Sequence, residues 1–354
     1  MQRFNNRIQK LPQTALALLS QIDNLNGQWI GGANLSPQAL GRLKRSVLVT
    51  STGSSTRIEG AKLTDAEVEK LMRGLSAQKL ASRDVQEVRG YYELLQEVFD
   101  SHSKIRFSEN IIKQMHAELL KYSNKDERHK GEYKKLENRV EMKDTRGKVL
   151  SVLFETTPAY LTQKEMNELV FWTQNALAKK SYHPLLVINN FIIEFLKIHP
   201  FLDGNGRLSR ILTNLLMLQA GYEYMPYVSH EKFIEDNKTE YYMALHQAQT
   251  TFKTKAETIE PWVMFILPIL EAQAKQAIEL LSGESIEKLL SPHQLVVWKY
   301  IKSSTSDISV KKVTEATRIA RPTVRQAIDR LLELKKIQRI GLGRSTRYVK
   351  YPIL

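Results

Sequence analysis

Apolar residues recur at helical spacing along most of the chain. Between residues 83 and 99 they fall at Val85, Val88, Tyr92, Leu95 and Phe99, and the stretch from Ser108 to Leu120 continues the same period. Ser36-Pro37, a capping residue followed by a first-turn proline, predicts a helix over 36–49. A polar stretch, Thr50 to Ser55, follows, and Thr64-Asp65-Ala66-Glu67 has the spacing of a capping box that opens the next helix. The period changes between Glu132 and Glu155. There Val140 and Met142 alternate with charged neighbours, Val149 to Phe154 is β-prone, and Asp144-Thr145-Arg146-Gly147 has turn composition, which predicts a β-hairpin. Helical spacing resumes over 162–178, 184–198, 207–221 and 231–250, and again over 259–282 with a break near Pro268. The fold class is mainly α.

Two of these helices are apolar on most faces, Leu185 to Ile198 and Ile211 to Ala220, so both belong in a core. The segment joining them is polar and glycine-rich: His199-Pro200-Phe201-Leu202-Asp203-Gly204-Asn205-Gly206-Arg207-Leu208-Ser209-Arg210. Gly204 and Gly206 permit backbone conformations and close approaches that side chains block. Unpaired N–H groups at the start of the second helix, at its positive end, make an anion site. Arg207 and Arg210 are three apart and project from one face toward that anion. Asp203 beside a polyphosphate suits Mg²⁺, which takes one carboxylate plus phosphate oxygens. A neutral His199 can accept a proton near pH 7. A lone histidine or Gly-x-Gly carries little weight, but these residues crowd into one turn between two buried helices.

The segment resembles the signature of the Fic family, H-P-F-x-D-G-N-G-R-x-x-R, at every specified position from His199 to Arg210. The resemblance spans a helical core of roughly 108–255 and makes the hairpin the counterpart of the family's substrate-clamping flap. It implies a protein adenylyltransferase, with ATP as substrate and Mg²⁺ as cofactor. His199 would deprotonate a Ser, Thr or Tyr hydroxyl of a target protein or of the enzyme itself. Asp203 would hold Mg²⁺, Gly204, Asn205 and Gly206 would form the anion hole, and Arg207 and Arg210 would grip the β- and γ-phosphates. Phe201 reads as a core anchor. The related Doc-type kinases typically carry alanine and lysine in place of the two glycines, so the intact loop favours AMP transfer over phosphate transfer. Tyr241 and Tyr242 match a family tyrosine pair beside adenine and ribose, and serve equally well as a core aromatic pair. Gln249 falls where some relatives place an asparagine on the nucleotide. Asn138, Arg139, Val140 and Glu141 would lie against the target as an added strand.

Ser55-Thr56-Arg57-Ile58-Glu59-Gly60 matches the family's inhibitory pattern, Ser/Thr-x-x-x-Glu-Gly. Ser55 and Glu59 share a helical face, and Gly60 can end the turn. Glu59 is expected to compete with the ATP γ-phosphate for Arg210. In some relatives the same glutamate positions water for AMP removal.

Composition adds one module. Of the chain's net charge of +14, Ser291 to Leu354 carries +10, with seven lysines and seven arginines against Asp307, Glu315, Asp329 and Glu333. Helices over Pro292–Lys302, Ser309–Thr317 and from Arg321 onward, then strands Ile337–Ile340 and Thr346–Val349 around a Gly341-Leu342-Gly343 turn, resemble a winged helix-turn-helix. Arg321, Thr323, Arg325 and Gln326 would face a DNA major groove, and Arg344 and Arg347 would meet phosphates. The organisation expected is therefore 1–107 with the inhibitory motif, 108–282 as catalytic core and following helix, 283–291 as linker and 292–354 as winged helix. A DNA-binding regulator that uses the core as a nucleotide sensor or self-modifying switch is the alternative function, and the family also implies a homodimer. The chain has no cysteine, which excludes disulfides and thiolate metal sites. No secretory signal or membrane span is read, and a cytoplasmic location is expected.

Overall fold

The computed structural model describes residues 1–354 except 33–36, 75–81, 124–126, 144–148, 282–289, 305–306, 335, 342–345 and 351–354. The helices in chain order are α1 Gln2–Gln9, α2 Gln13–Gly32, α3 Pro37–Ile58, α4 Asp65–Met72, α5 Arg83–Ser101 and α6 Glu109–Leu119. The hairpin strands β1 Arg139–Lys143 and β2 Val149–Glu155 follow. Then come α7 Ala159–Lys179, α8 Pro184–Ile198, α9 Asn205–Gln219, a 3₁₀ turn Met225–Tyr227, α10 His230–Asp236, α11 Lys238–Gln249 and α12 Glu260–Leu281. The last elements are α13 Pro292–Ser303, α14 Val310–Thr317, α15 Arg321–Glu333, β3 Ile337–Ile340 and β4 Arg347–Lys350.

Local chemistry sets most boundaries. Thr64 and Glu67 form the capping box that opens α4, and Ser82, Ser108 and Ser309 each accept a main-chain N–H at a helix start. Three expectations need correction. The helix expected over 36–49 continues to Ile58, and Ser51, Thr52, Ser54 and Ser55, expected in a polar stretch between elements, are buried within α3, as is Thr56 after them. Ser51 Oγ donates to Glu231 at 2.8 Å and Thr56 Oγ1 to the carbonyl of Thr52 at 2.8 Å, whereas the buried Thr52 hydroxyl has no partner among the described residues. The helix expected over 231–250 is two, parted at Asn237, whose φ of −120° is not helical. The one expected to break near Pro268 is continuous through it. The turn at 144–147 and most of the 283–291 linker lie outside the described residues.

Packing divides the chain into two units. The first comprises Met1–Asn26 and Lys44–Ala274. Its centre is α8, on which Leu185 to Leu196 are all buried, with α7 and α9 beside it. α1 reaches this core through a buried ion-pair network, in which Arg7 meets Glu194 of α8 and Glu257. α5 approaches α6 so closely that a Cβ on Gly90 would lie 2.1 Å from the Leu119 carbonyl oxygen. Gly90→Ala is expected to cost about 1–3 kcal/mol, because a helix backbone must shift. Thermal denaturation should show Tm lowered by roughly 2–8 °C, and an unchanged Tm would refute this close-packing account.

The second unit comprises Gly27–Leu43 and Lys275–Leu354. α13, α14 and α15 enclose a core of Val297, Ile301, Val313, Val324, Ile328 and Leu331. β3 and β4 pair antiparallel, and Ile308 bridges to Tyr348 as a third short rung. Among the described residues the fold is thus mostly helical, with a two-stranded hairpin in the first unit and, in the second, α13 to α15 and a second hairpin beside parts of α2, α3 and α12.

Candidate active site

α8 ends at His199 in a left-handed turn, φ 50°. A residue with a Cβ is held there at a cost on the order of 1 kcal/mol, so its neighbours must fix it. The imidazole Nδ1 lies 3.3 Å from the Leu196 carbonyl. Nδ1 is therefore the protonated nitrogen, and Nε2 keeps its lone pair. Burial pushes the His199 pKa down to about 4, against the raising influence of the Leu196 carbonyl. The ring is neutral at pH 7, as a general base must be.

Past the turn, Gly204 adopts φ 79° and begins α9. The Asn205 side chain braces the loop by accepting from Phe201 N–H at 3.0 Å and donating to the Phe201 carbonyl at 2.7 Å. Phe201 is buried and stacks on His116 at 3.7 Å. His116 accepts from Gly131 N–H at 2.9 Å and reaches the Asp203 carbonyl at 3.0 Å, which makes Nε2 its protonated nitrogen. The Asp203 carboxylate is 2.9 Å from Arg207 and 3.2 Å from Arg83. Partial burial opposes its ionisation, but Arg207, the Gly204 N–H and Arg83 hold its pKa below the usual carboxylate value.

Arg210, buried in the first turns of α9, donates to Ser55 Oγ at 2.7 Å, to the Ser55 carbonyl at 2.9 Å and to Glu59 Oε1 at 2.7 Å. Burial works against its charge, yet the Glu59 carboxylate keeps its pKa raised. Its Nη1, like Arg207 Nε, is buried without a hydrogen-bond partner. A Cβ on Gly206 would lie 2.1 Å from Glu59 Oε1, so the carboxylate occupies the space over the start of α9 that this glycine leaves free. Gly60, at φ 103°, lets the chain turn away just after Glu59. Tyr241 is buried edge-on against Trp262 and near Arg210, and burial pushes its hydroxyl up to about 12. The half-buried Tyr242 rests edge-on against Tyr241. Gln249 is a core residue that donates to the Ile193 carbonyl at 3.2 Å.

In the hairpin, Arg139, Val140 and Glu141 stand in β1, and Asn138 lies one residue before it. Asn138 turns its amide inward to the Phe201 carbonyl at 2.9 Å. In the second unit, Arg321, Arg325 and Gln326 are exposed on α15, and Thr323 is half-buried. Arg347 leans toward Asp307 at 3.5 Å, and Arg344 lies outside the described residues.

Four contributors escape sequence reasoning. His116 sits among Ile112, Met115 and Leu119 on the buried face of α6 and reads as core. Lys134 belongs to a charged run that reads as solvated surface. Glu87 and Arg83 of α5 meet Arg207 and Asp203 from 120 residues away, which no local pattern reveals. Among the described residues, no cluster of three or more His, Asp or Glu is placed to hold a metal by itself, and no helix is long and apolar enough to cross a membrane.

Residues 106–217 match the profile of the Fic/DOC family. The protein adenylyltransferase Fic of Drosophila persimilis is 31% identical over 135 residues, 34% of this chain and 24% of the relative. The chain thus spans about a quarter of the length of the curated relative it matches. A Fic family protein from Desulfovibrio desulfuricans shares the fold with a TM-score of 0.63 at 24% identity, over 96% of this chain and 97% of that one. Fic-1 from C. elegans gives a TM-score of 0.59 at 22% identity, over 76% of this chain and 73% of that one.

Proposed function

From the premise that the chain carries a Fic/DOC-family domain over residues 106–217, we propose that it is a protein adenylyltransferase, held inactive by its own Glu59. The carrying observation is the pairing of Glu59 with Arg210 at 2.7 Å over the start of α9. A carboxylate there satisfies the donors that a terminal phosphate would otherwise engage. The buried, unpartnered Arg210 Nη1 and Arg207 Nε are further donors suited to phosphate oxygens.

In the active state, Arg207, Arg210 and the first N–H groups of α9 hold the triphosphate, and Tyr241 and Tyr242 flank the nucleoside. The hairpin edge positions the target segment by main-chain pairing. His199 Nε2 takes the proton from the target hydroxyl as its oxygen bonds to the α-phosphorus. The bond to the bridging oxygen breaks, and pyrophosphate leaves. Asp203, ionised and about a third exposed, fits Mg²⁺ as a single carboxylate ligand, with phosphate oxygens and water completing the set. When bound, Mg²⁺ neutralises phosphate charge. The test is AMP incorporation from labelled ATP by the wild type and by Glu59→Gly, with and without lysate. No incorporation by either would end the proposal.

A second activity is supported by the +10 charge of residues 291–354 together with the exposed Arg321, Arg325 and Gln326 of α15. DNA binding through this helix should weaken steeply with salt. Arg321→Ala/Arg325→Ala in the full chain should lower affinity for a DNA duplex by roughly tenfold or more at low salt, read by a mobility shift. An equal shift by wild type and variant, or none by either, would remove this reading.

A further inference from the structure

Lys134 precedes the hairpin, and its side chain is almost wholly buried. Its ammonium donates to three acceptors, Asn138 Oδ1 at 2.7 Å, Thr156 Oγ1 at 2.9 Å and the Ile198 carbonyl at 3.0 Å. All three of its protons are thereby used. Its main-chain N–H donates to the Pro200 carbonyl at 2.8 Å. Asn138 in turn reaches the Phe201 carbonyl at 2.9 Å and the His199 carbonyl at 3.4 Å, while Thr156 donates back to the Asn138 carbonyl at 2.8 Å. Asn138 and Thr156 are the two roots of the hairpin, just outside β1 and β2. The carbonyls of Ile198, His199, Pro200 and Phe201 lie at and just after the end of α8, around the left-handed His199, and the last carbonyls of a helix lack partners within it.

We propose that Lys134 is a positioning residue for the transfer reaction: its ammonium fastens both roots of the hairpin to the carbonyl before His199 and its main-chain N–H holds the carbonyl after it, so that the base and the target-binding edge are set by one residue. This rests on the adenylyltransferase reading above. A strained turn persists only where its surroundings over-determine it, and Lys134 and Asn138 together bond four consecutive carbonyls around His199. A lysine is apt because one ammonium can serve two side-chain roots and one main chain at once.

The same cation also bears on the base. His199 is influenced by the Leu196 carbonyl on α8, Lys134 before the hairpin, Glu59 just past the end of α3 and Asp203 in the loop. Of these charges only Lys134 favours the neutral imidazole. Lys134 itself is pushed down to about 8 by burial, with Glu137 and Glu165 opposing, so it is mostly charged at pH 7. Removing it should raise the His199 pKa.

The test uses the full chain carrying Glu59→Gly, so that transfer is measurable. Lys134→Met keeps the length and removes the charge and the donors. The His199 ring titration, assigned by the NMR signal missing in His199→Ala, should move up by about one pH unit. AMP incorporation into the chain itself and into lysate proteins should fall about tenfold or more, while MgATP affinity by calorimetry stays unchanged. Lys134→Arg should leave the titration at its original midpoint. Asn138→Ala keeps the cation but loses the link, and should lower incorporation without moving the titration. It also serves where Lys134→Met does not fold. An unmoved midpoint in folded Lys134→Met, or full incorporation in Asn138→Ala, would overturn the proposal. A shifted midpoint with no incorporation even in the parent Glu59→Gly chain would sink the adenylyltransferase reading and leave the hold of Lys134 on His199 standing.

Discussion

Glu59→Gly is expected to raise AMP transfer by about 10- to 100-fold over the wild type. A charge-assisted hydrogen bond is worth roughly 1.5–3 kcal/mol, and somewhat less here because Glu59 is about a third exposed. The pair is held from behind as well as at the contact. Ser51 of α3 hydrogen-bonds Glu231 at 2.8 Å, and Arg57 grips both oxygens of Glu235 at 2.5 and 3.0 Å. Glu231 and Glu235 both belong to α10. Glu59 therefore follows directly on a helix end anchored at Ser51 and Arg57, and thermal motion of one side chain does not by itself clear the anion site. ATP can displace it only by breaking the contact with Arg210 and removing the carboxylate from the space beside Gly206. The glycine variant removes both obstacles. Glu59→Gln keeps the shape and loses the charge, and should fall between the two. Initial rates from α-labelled ATP decide the matter: equal rates in wild type and Glu59→Gly remove the brake and leave the enzyme reading standing.

The helical architecture was readable wherever periodicity and caps agreed. The bounds of α8 follow from His183-Pro184 at one end and the change to loop chemistry at His199 at the other. α3 was misread because its second half has no apolar period. Buried hydroxyls at Ser51, Thr52, Ser54, Ser55 and Thr56 look solvated in a sequence, and the long-range partners of Ser51 and Ser55, Glu231 and Arg210, show only in the fold. Pro268 misleads for the opposite reason. Proline usually ends or kinks a helix, yet α12 accommodates it.

The turn after α8 was legible because its chemistry is compressed into twelve consecutive residues, and the distance from Glu59 to Arg210 did not hide their contact, since each half carries its own pattern. What stayed hidden is the support. His116 under Phe201, Lys134 at the hairpin root and Glu87 beside Arg207 act through geometry at long sequence separation. Each has the residue type and spacing of an ordinary amphipathic or solvated segment. Signals of that kind exist only in three dimensions.

His199→Ala is expected to lower AMP transfer by about 10²–10⁴-fold, the usual share of a positioned general base, in the Glu59→Gly background where transfer is measurable. MgATP binding should survive, because the phosphate donors come from α9 rather than from the imidazole. The sharper expectation concerns pH. A base works only when unprotonated, so kcat/KM falls as pH drops through the pKa of the free enzyme's His199. Burial places that pKa at about 4, well below the usual histidine value. Glu59 raises it, so the Glu59→Gly change moves it further down. Lys134, still present, continues to favour the neutral ring. The acid limb should therefore lie near or below pH 4, with no loss of rate through the region around 6.5 where an exposed histidine titrates. Tracking kcat/KM for ATP from pH 4 to 8 tests this. A limb near 6.5 would mean that the imidazole is hydrated rather than buried in the turn, and persistent transfer by His199→Ala would mean that another group takes the proton.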